Sequence, residues 1–294
     1  MAKNDYRIKQ RALGFTAVFF FCLLGLAANQ LQVFVPEVPF VPTPHEVVAE
    51  ILRVAGVGEN DVLYDLGCGD GRIVITAAKE FGCRGVGIDI DPERIRESRE
   101  NAHKEGVVDR VEFYQMDLFN ADISQATVVT LYLLSRVNLR LRPKLLSDLK
   151  PGTRVVSHDF DMEDWAADET SFVEDEWDTH KVFFWVIPAS VTGTWKWTIP
   201  GLAGKSLFNL KLEQTFQSLR GEAFENSEPI PVFIKDGKIK GTHIEFVLER
   251  KIEGIKERLV FQGSMSGRKI AGSARLEGSP EESAIFWNAR RIRR

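Results

Sequence analysis

The residues best suited to chemistry form a glycine-rich turn between a predicted strand and a predicted helix. The apolar run Val62–Leu66 predicts a buried strand, Arg72–Phe81 predicts a helix, and Gly67, Cys68, Gly69 and Gly71 lie between them. Glycines let a chain turn sharply and let a ligand approach the backbone. A helix starting here would also present N–H groups to an anionic ligand group. The turn therefore predicts a ligand-binding site.

Acidic residues follow three successive predicted strands. Asp65 lies in the first, Asp89 ends the strand Gly85–Ile88, and Asp117-Leu118 comes just past the strand Val111–Gln115. The carboxyl ends of parallel strands meet at one crevice, where carboxylates can accept hydrogen bonds from ribose hydroxyls or an amino group. The alternative is that these residues only cap turns and helices.

The spacing of the glycines departs from that of a dinucleotide site. A GxGxxG motif that starts at Gly67 would place its third glycine at position 72, which is Arg72. The third glycine is Gly71 instead. The turn therefore favours a ligand without a pyrophosphate group.

Candidate catalytic residues follow the next two strands at the same predicted edge. Tyr132 lies at the tip of the strand Thr127–Leu133, and His158 and Asp159 follow the strand Arg154–Ser157. Asn138 is a further candidate. Core packing of Tyr132 and a loop role for His158 are the alternatives.

An acidic run extends from Asp159 to Asp178. It holds ten carboxylates, and no Lys or Arg lies between Arg154 and Lys181. Such a field would attract a cationic substrate if it lay near the substrate mouth. It is otherwise an ordinary solvated surface.

Alternating strands and helices over residues 36–190 predict a Rossmann-like, doubly wound α/β domain with a seven-stranded sheet. Its first helix is predicted to begin at Pro44, with Thr43 as the N-cap. A closing antiparallel pair is predicted over Ser171–Asp178 and Lys181–Ile187.

Residues 191–294 show period-2 alternation, which predicts a small antiparallel β-sheet or barrel domain. Leu207–Leu219 is a strand candidate, and Asp236-Gly237 predicts a hairpin turn. Lys238–Gly241 is similar to Lys269–Gly272, which suggests a repeated hairpin. Trp195 and Trp197 share one strand face and are expected in the core, with a ligand-facing pair as the alternative.

The N-terminus differs from the rest of the chain. A basic start precedes an uncharged segment whose most apolar part is residues 12–28. It predicts a hydrophobic helix within residues 1–35, acting as a membrane anchor or as the core of an export signal, and leaves the side of the membrane open. The net charge of −4 and the three cysteines give no reason to expect nucleic-acid binding or a metal site.

Two segments carry a resemblance to a known family. Asp65–Arg72 resembles motif I of the class I, or seven-β-strand, S-adenosylmethionine-dependent methyltransferases. Val38–Thr43 and Thr130–Leu133 resemble a subset with the lysine methyltransferases of the mitochondrial ATP synthase c-subunit and adenine nucleotide translocase, and bacterial relatives. The resemblance covers residues 36–188, and the β-rich half departs from the mitochondrial enzymes.

The resemblance implies S-adenosyl-L-methionine as cofactor and N-methylation of a protein lysine, with a membrane protein as one possible substrate. It places Asp65, Gly67, Gly69 and Gly71 at the methionyl part, Asp89 at the ribose, and Asp117 at the adenine. Two rival functions remain: a small-molecule or lipid methyltransferase that uses the β-rich half as a substrate cup, and a cofactor-binding protein without turnover.

Overall fold

A computed structural model of the chain describes residues 37–199, 206–225, 231–252 and 255–293. The predicted hydrophobic helix at residues 12–28 lies outside these ranges. Within them, no helix combines the length and the apolar character needed to cross a bilayer.

The N-terminal half of the described chain alternates strands with helices. Its elements are α1 (His45–Val54), β1 (Val62–Leu66), α2 (Arg72–Phe81), β2 (Arg84–Asp89), α3 (Pro92–Glu105), β3 (Val111–Gln115), β4 (Val128–Leu131), α4 (Ser135–Asp148), β5 (Arg154–His158), β6 (Glu169–Glu174) and β7 (Thr179–Val186).

The seven strands form one sheet in the order β3-β2-β1-β4-β5-β7-β6. Strands β1 to β5 are parallel, and β7 runs antiparallel to β5 and β6. The strand order reverses between β1 and β4, and the carboxyl ends of the strands on either side of such a point form a ligand crevice. The predicted doubly wound seven-stranded sheet is confirmed.

Local sequence signals explain where the helices begin and end. Asp91 caps α3 by accepting a hydrogen bond from the Glu93 N–H at 2.8 Å, Pro92 occupies the first turn, and Gly106 ends the helix at φ 71°. The predicted N-cap of α1 is wrong, because Pro44 takes that position. The Thr43 side chain is buried instead and faces the β5 edge.

The sheet is covered on both faces. Buried residues of α1, α2 and α3, including Ile51, Val74 and Ile95, form one core with the sheet. Leu141 of α4 and Trp185 of β7 belong to a second core. Because helices and side chains cover both faces of the sheet, a ligand can reach its centre only from the carboxyl ends of the strands.

The C-terminal half is a closed antiparallel barrel, which confirms the predicted barrel. Its eight strands are β8 (Gly193–Ile199), β9 (Ser206–Thr215), β10 (Ser218–Glu225), β11 (Val232–Lys240), β12 (His243–Ile252), β13 (Ile255–Ser266), β14 (Lys269–Leu276) and β15 (Ile285–Arg293). Each strand pairs with the next in sequence, and β15 pairs with β8 to close the barrel. Closure removes the unpaired edges of an open sheet.

Two local predictions for this half are wrong. Leu207–Leu219 is not one strand, because the chain turns at Phe216 between β9 and β10. Asp236-Gly237 is a bulge inside β11, and the hairpin turn lies at Gly241. A Cβ atom at Gly237 would lie 2.6 Å from the Leu219 carbonyl oxygen, so the bulge requires a glycine there.

The predicted repeat has no structural counterpart. Lys238–Lys240 ends a strand before a turn, whereas Lys269 begins a strand after one. The two similar segments therefore occupy different positions in the barrel.

The described part of the barrel interior is filled by side chains. Trp195 and Trp197 are fully buried, which confirms that they are core residues. The Trp197 ring lies 4.6 Å from the Phe261 ring and 5.4 Å from the Trp287 ring, centroid to centroid. An interior packed in this way leaves no room for a substrate cup among these residues.

One end of the barrel packs on the α/β half. The Phe216 ring stacks on Trp165 with centroids 5.6 Å apart. The Gln217 side chain donates a hydrogen bond to the Ala166 carbonyl oxygen at 2.6 Å. Trp165 and Ala166 belong to the loop that follows β5, so the barrel braces a loop that starts at the crevice.

Candidate active site

The three glycines of the turn all adopt left-handed backbone conformations, with φ between 54° and 88°. A Cβ atom at Gly67 would lie 2.9 Å from the Leu133 side chain. A Cβ atom at Gly69 would lie 2.3 Å from the Phe40 ring. Side chains are therefore excluded from these positions by conformation and by space.

The backbone amides of the turn are already occupied. Gly67 N–H and Cys68 N–H both donate to the Ile88 carbonyl oxygen, at 2.8 and 3.0 Å. Gly69 N–H donates to Asp89 Oδ2 at 2.9 Å. These three hydrogen bonds bind the turn to β2.

Cys68 is buried, and its sulfur lies against the backbone of Gly87. Cys68 and Cys83 are both free thiols in the core. Contact between Cys68 and a ligand is therefore limited to the main chain.

Asp65 is a buried carboxyl group at the centre of the crevice. It is 3% exposed and accepts a hydrogen bond from the Thr130 hydroxyl at 2.7 Å. Burial, reinforced by the charges of Asp89 and Asp70, raises the pKa of Asp65 to about 7. Among the described residues no cationic side chain forms an ion pair with it. A positively charged ligand group next to Asp65 would stabilise its ionised form.

Asp89 and Asp117 hold the turns in which they lie. Asp89 accepts from the Asp91 N–H at 2.9 Å as well as from Gly69, and Asp117 accepts from the Phe119 N–H at 2.9 Å. Leu118 is half-buried in the short helix that Asp117 caps. A carboxylate offers about four acceptor positions, so both groups can also bind a ligand.

The proline-rich segment before α1 lies over the glycine turn. Phe40 contacts Gly69 and stacks beneath the Arg94 guanidinium, 4.7 Å from the ring centroid. The Arg72 side chain donates to the Thr43 carbonyl oxygen at 2.8 Å. The segment therefore forms one wall of the crevice.

The predicted catalytic residues meet beside this crevice. The Tyr132 ring lies 3.8 Å from the His158 ring, centroid to centroid, and Tyr132 is half-buried. His158 is fully buried, and its Nδ1 lies 3.4 Å from the Thr43 hydroxyl. Burial lowers the pKa of His158 to about 4. Tyr132 directly follows β4 at the carboxyl end of the sheet, and the buried His158 ring packs against it.

A residue that is not evident from the sequence completes this group. His180 of β7 lies 3.0 Å from His158 and 3.1 Å from Asp159, and its other nitrogen lies 3.1 Å from Asp175. Burial lowers the pKa of His180, but hydrogen bonds to the two carboxylates outweigh this effect and leave the pKa above its ordinary value. Only the pairing of β5 with β7 brings His180 to this place.

Asn138 is buried in α4 rather than exposed to the crevice. Its amide nitrogen donates to the Phe160 carbonyl oxygen at 3.0 Å. Asn138 therefore fixes the loop that carries Asp159.

The acidic run ends in a hairpin at the carboxyl end of the sheet, on the side of β6 and β7. His158 ends β5 and pairs with Val182 of β7, so residues 174–178 lie beyond the sheet edge. We call these five residues the acidic tip: Glu174, Asp175, Glu176, Trp177 and Asp178. Trp177 is 89% exposed. The pKa of Tyr132 is raised by burial first, then by the charge of Asp159 and then by that of Asp178. Asp178 is therefore close enough to Tyr132 to act on it.

The raised pKa of Asp65 predicts that the stability difference between the wild type and Asp65→Asn depends on pH. Since the folded protein binds the Asp65 proton more tightly than the unfolded chain, stability falls as pH rises from about 4 towards 7. The two pKa values differ by about three, which corresponds to at most about 4 kcal/mol. Asp65→Asn should therefore unfold at a higher temperature than the wild type at pH 8, and lose most of this advantage at pH 5.

Thermal unfolding followed by circular dichroism at both pH values measures this difference. Asp109→Asn removes an exposed carboxyl and is the control. An equal gain for both variants, or a gain for Asp65→Asn that is the same at pH 5 and pH 8, would show that burial of Asp65 does not set its pKa.

Comparison with known proteins places this site in a family. The model of the ANTKMT methyltransferase domain matches residues 65–169. A protein-lysine N-methyltransferase from Saccharolobus islandicus is 52% identical over 155 residues, which are 52% of this chain and 96% of the relative. The lysine N-methyltransferase of the ATP synthase c-subunit from Homo sapiens is 33% identical over 133 residues, 45% of this chain and 56% of the human enzyme.

A solved structure is also similar. The RNA methyltransferase from Salinibacter ruber in complex with S-adenosyl-L-homocysteine is 59% identical, with a TM-score of 0.49, and the match covers 51% of this chain and 96% of that chain. The motif around Asp65, the strand order and the 96% coverage of the Saccharolobus islandicus relative agree with one another. This chain belongs to the class I S-adenosylmethionine-dependent methyltransferases, in the family of the ANTKMT methyltransferase domain.

Proposed function

We propose that this enzyme transfers a methyl group from S-adenosylmethionine to the ε-amine of a lysine in a protein. The observation that carries the proposal is an acidic crevice whose Asp65 has no cationic partner among the described residues, together with an acidic tip at the same end of the sheet, where the Asp178 charge acts on Tyr132. Relatives that act on protein lysines are consistent with it. The cofactor and the acceptor both carry positive charge, which this arrangement favours.

The charges of the crevice residues suit the cofactor. Asp65 and the glycine turn would hold the methionyl part, where the ammonium group compensates the buried carboxylate. Asp89 would accept the ribose hydroxyls, and Asp117-Leu118 would contact the adenine. When bound, S-adenosylmethionine supplies an electrophilic methyl group on its sulfonium. The protein has to position the acceptor amine in line with it.

Tyr132 is the residue that we assign to the acceptor. A lysine amine attacks only in its neutral form, and the Tyr132 hydroxyl oxygen can accept a hydrogen bond from it and orient its lone pair. His158 is fully buried, with both ring nitrogens beside protein partners. We therefore assign His158 and Asp159 to positioning Tyr132.

The rival functions have less support. A lipid or small-molecule acceptor held by the barrel conflicts with an interior that aromatic side chains fill. A protein that only binds the cofactor would not need a tyrosine next to the crevice whose ring is packed on His158.

We also propose that residues 12–28 attach the enzyme to a membrane, because this segment is uncharged, apolar and preceded by basic residues. A membrane protein would then be a natural acceptor. Full-length enzyme should sediment with membranes and remain there after alkaline washing, whereas a chain without residues 12–28 should not.

The acceptor can be identified directly. Full-length enzyme is incubated with S-adenosylmethionine labelled in the methyl group and, separately, with membrane proteins, soluble proteins, a lipid extract and total RNA. We expect label in ε-N-methyllysine after hydrolysis of the protein. Label confined to lipid or to nucleosides would contradict the proposal.

Tyr132→Phe tests the assigned role with the same acceptor. Loss of the hydroxyl should lower kcat by about 10-fold to 100-fold, because misplacing the amine is costly, and should leave cofactor affinity unchanged. Tyr114→Phe, at an exposed position on β3, is the control. An unchanged kcat for Tyr132→Phe would remove Tyr132 from the mechanism.

The acidic tip predicts an effect on KM. Glu174→Gln combined with Glu176→Gln and Asp178→Asn should raise KM for a lysine-rich acceptor several-fold and leave kcat unchanged, because exposed charges steer a cation without touching the reacting atoms. The effect should fade at high salt. Glu169→Gln, exposed at the other end of β6, should not show it. Equal KM values for the triple variant and the wild type would show that the tip is only a solvated surface.

A further inference from the structure

Three ligand atoms converge behind Tyr132. His158 Nε2 and His180 Nδ1 are 3.0 Å apart. Asp159 Oδ2 lies 3.2 Å from the first and 3.1 Å from the second. The three atoms thus form a nearly equilateral triangle, contributed by the end of β5 and the start of β7.

The second polar atom of each side chain is held by another group. The Lys181 N–H donates to Asp159 Oδ1 at 2.8 Å. His180 Nε2 lies 3.1 Å from Asp175 Oδ2, and His158 Nδ1 lies 3.4 Å from the Thr43 hydroxyl. Partners of this kind orient metal ligands and fix the tautomer of a ligating histidine.

We propose that His158, Asp159 and His180 form a binding site for a divalent first-row transition-metal ion. Two imidazole nitrogens and one carboxylate oxygen suit Zn²⁺ and its neighbours, whereas Mg²⁺ and Ca²⁺ prefer oxygen ligands alone. With bonds of about 2.1 Å, two ligands lie about 3.0 Å apart in an octahedral site and about 3.4 Å apart in a tetrahedral one. The observed triangle is close to one face of an octahedron.

The site needs little rearrangement to accept an ion. Asp159 is held at φ 58°, a conformation that is uncommon for a non-glycine residue, by a hydrogen bond from its own N–H to the Lys181 carbonyl oxygen at 2.7 Å. This conformation turns the carboxylate back towards His180. Asp159 and His180 are partly exposed, which gives an ion a path from solvent.

An ion here would fix the β5–β7 edge beside the acceptor. It would hold His158 under the Tyr132 ring and anchor the base of the acidic tip through Asp175. This role is structural and does not depend on which acceptor is methylated. The absence of Cys/His spacing in the sequence is no obstacle, because the ligands come from two strands that pair only in the fold.

The test measures metal binding by the full chain, prepared without a polyhistidine tag and stripped with a chelator. Equilibrium dialysis against Zn²⁺ should give one ion per chain, and Co²⁺ should give a ligand-field absorption band. His180→Asn should abolish both signals. Asp175→Asn, which leaves the three ligands in place, should weaken Zn²⁺ binding by about 10-fold to 100-fold.

His243→Ala removes an exposed histidine of the barrel and should change nothing. Circular dichroism shows whether each variant is folded. Stoichiometric binding that survives His180→Asn in a folded protein would place the ion elsewhere. If the folded wild type binds neither Zn²⁺ nor Co²⁺, the three side chains are held together by hydrogen bonds alone. That result would overturn the proposal.

Discussion

The candidate active site depends on a carboxyl group buried near the end of the central strand. Asp65 occupies the position where the sheet reverses its order, so its surroundings are fixed by β1, β2 and β4 at once. Placing a charge there is unfavourable in the free protein, as its raised pKa shows. The enzyme thus keeps an unfavourable group where a cationic cofactor can compensate it.

The second constraint is the antiparallel pairing of β7 with β5. It brings His180 to His158 and carries the acidic tip past the end of the sheet. The barrel contributes indirectly, because Phe216 and Gln217 hold the loop between β5 and β6. In the proposed mechanism the α/β half binds the cofactor and the acceptor, and the barrel supports the loop that leads away from β5.

The predictable features are those set by residues close in sequence. The turn at Gly67–Gly71 and the cap at Asp91 follow from local backbone preferences. The position of His180 depends on the pairing of His158 with Val182. The hydrophobic periodicity of the sequence does not predict which residues of two strands pair. The dipeptide Asp236-Gly237 suits a bulge as well as a hairpin turn, so sequence alone does not separate the two. Burial of Thr43 against the β5 edge outweighs its capping preference.

The central claim is that the acidic crevice binds S-adenosylmethionine. Calorimetric titration of the full chain in detergent with the cofactor and its demethylated product tests it most directly. We expect micromolar binding, weakened by about 1–3 kcal/mol in Asp89→Ala through lost hydrogen bonds to the ribose, and little changed in Asp91→Ala. Absence of binding by a folded sample, or equal affinity for wild type and Asp89→Ala, would contradict the claim.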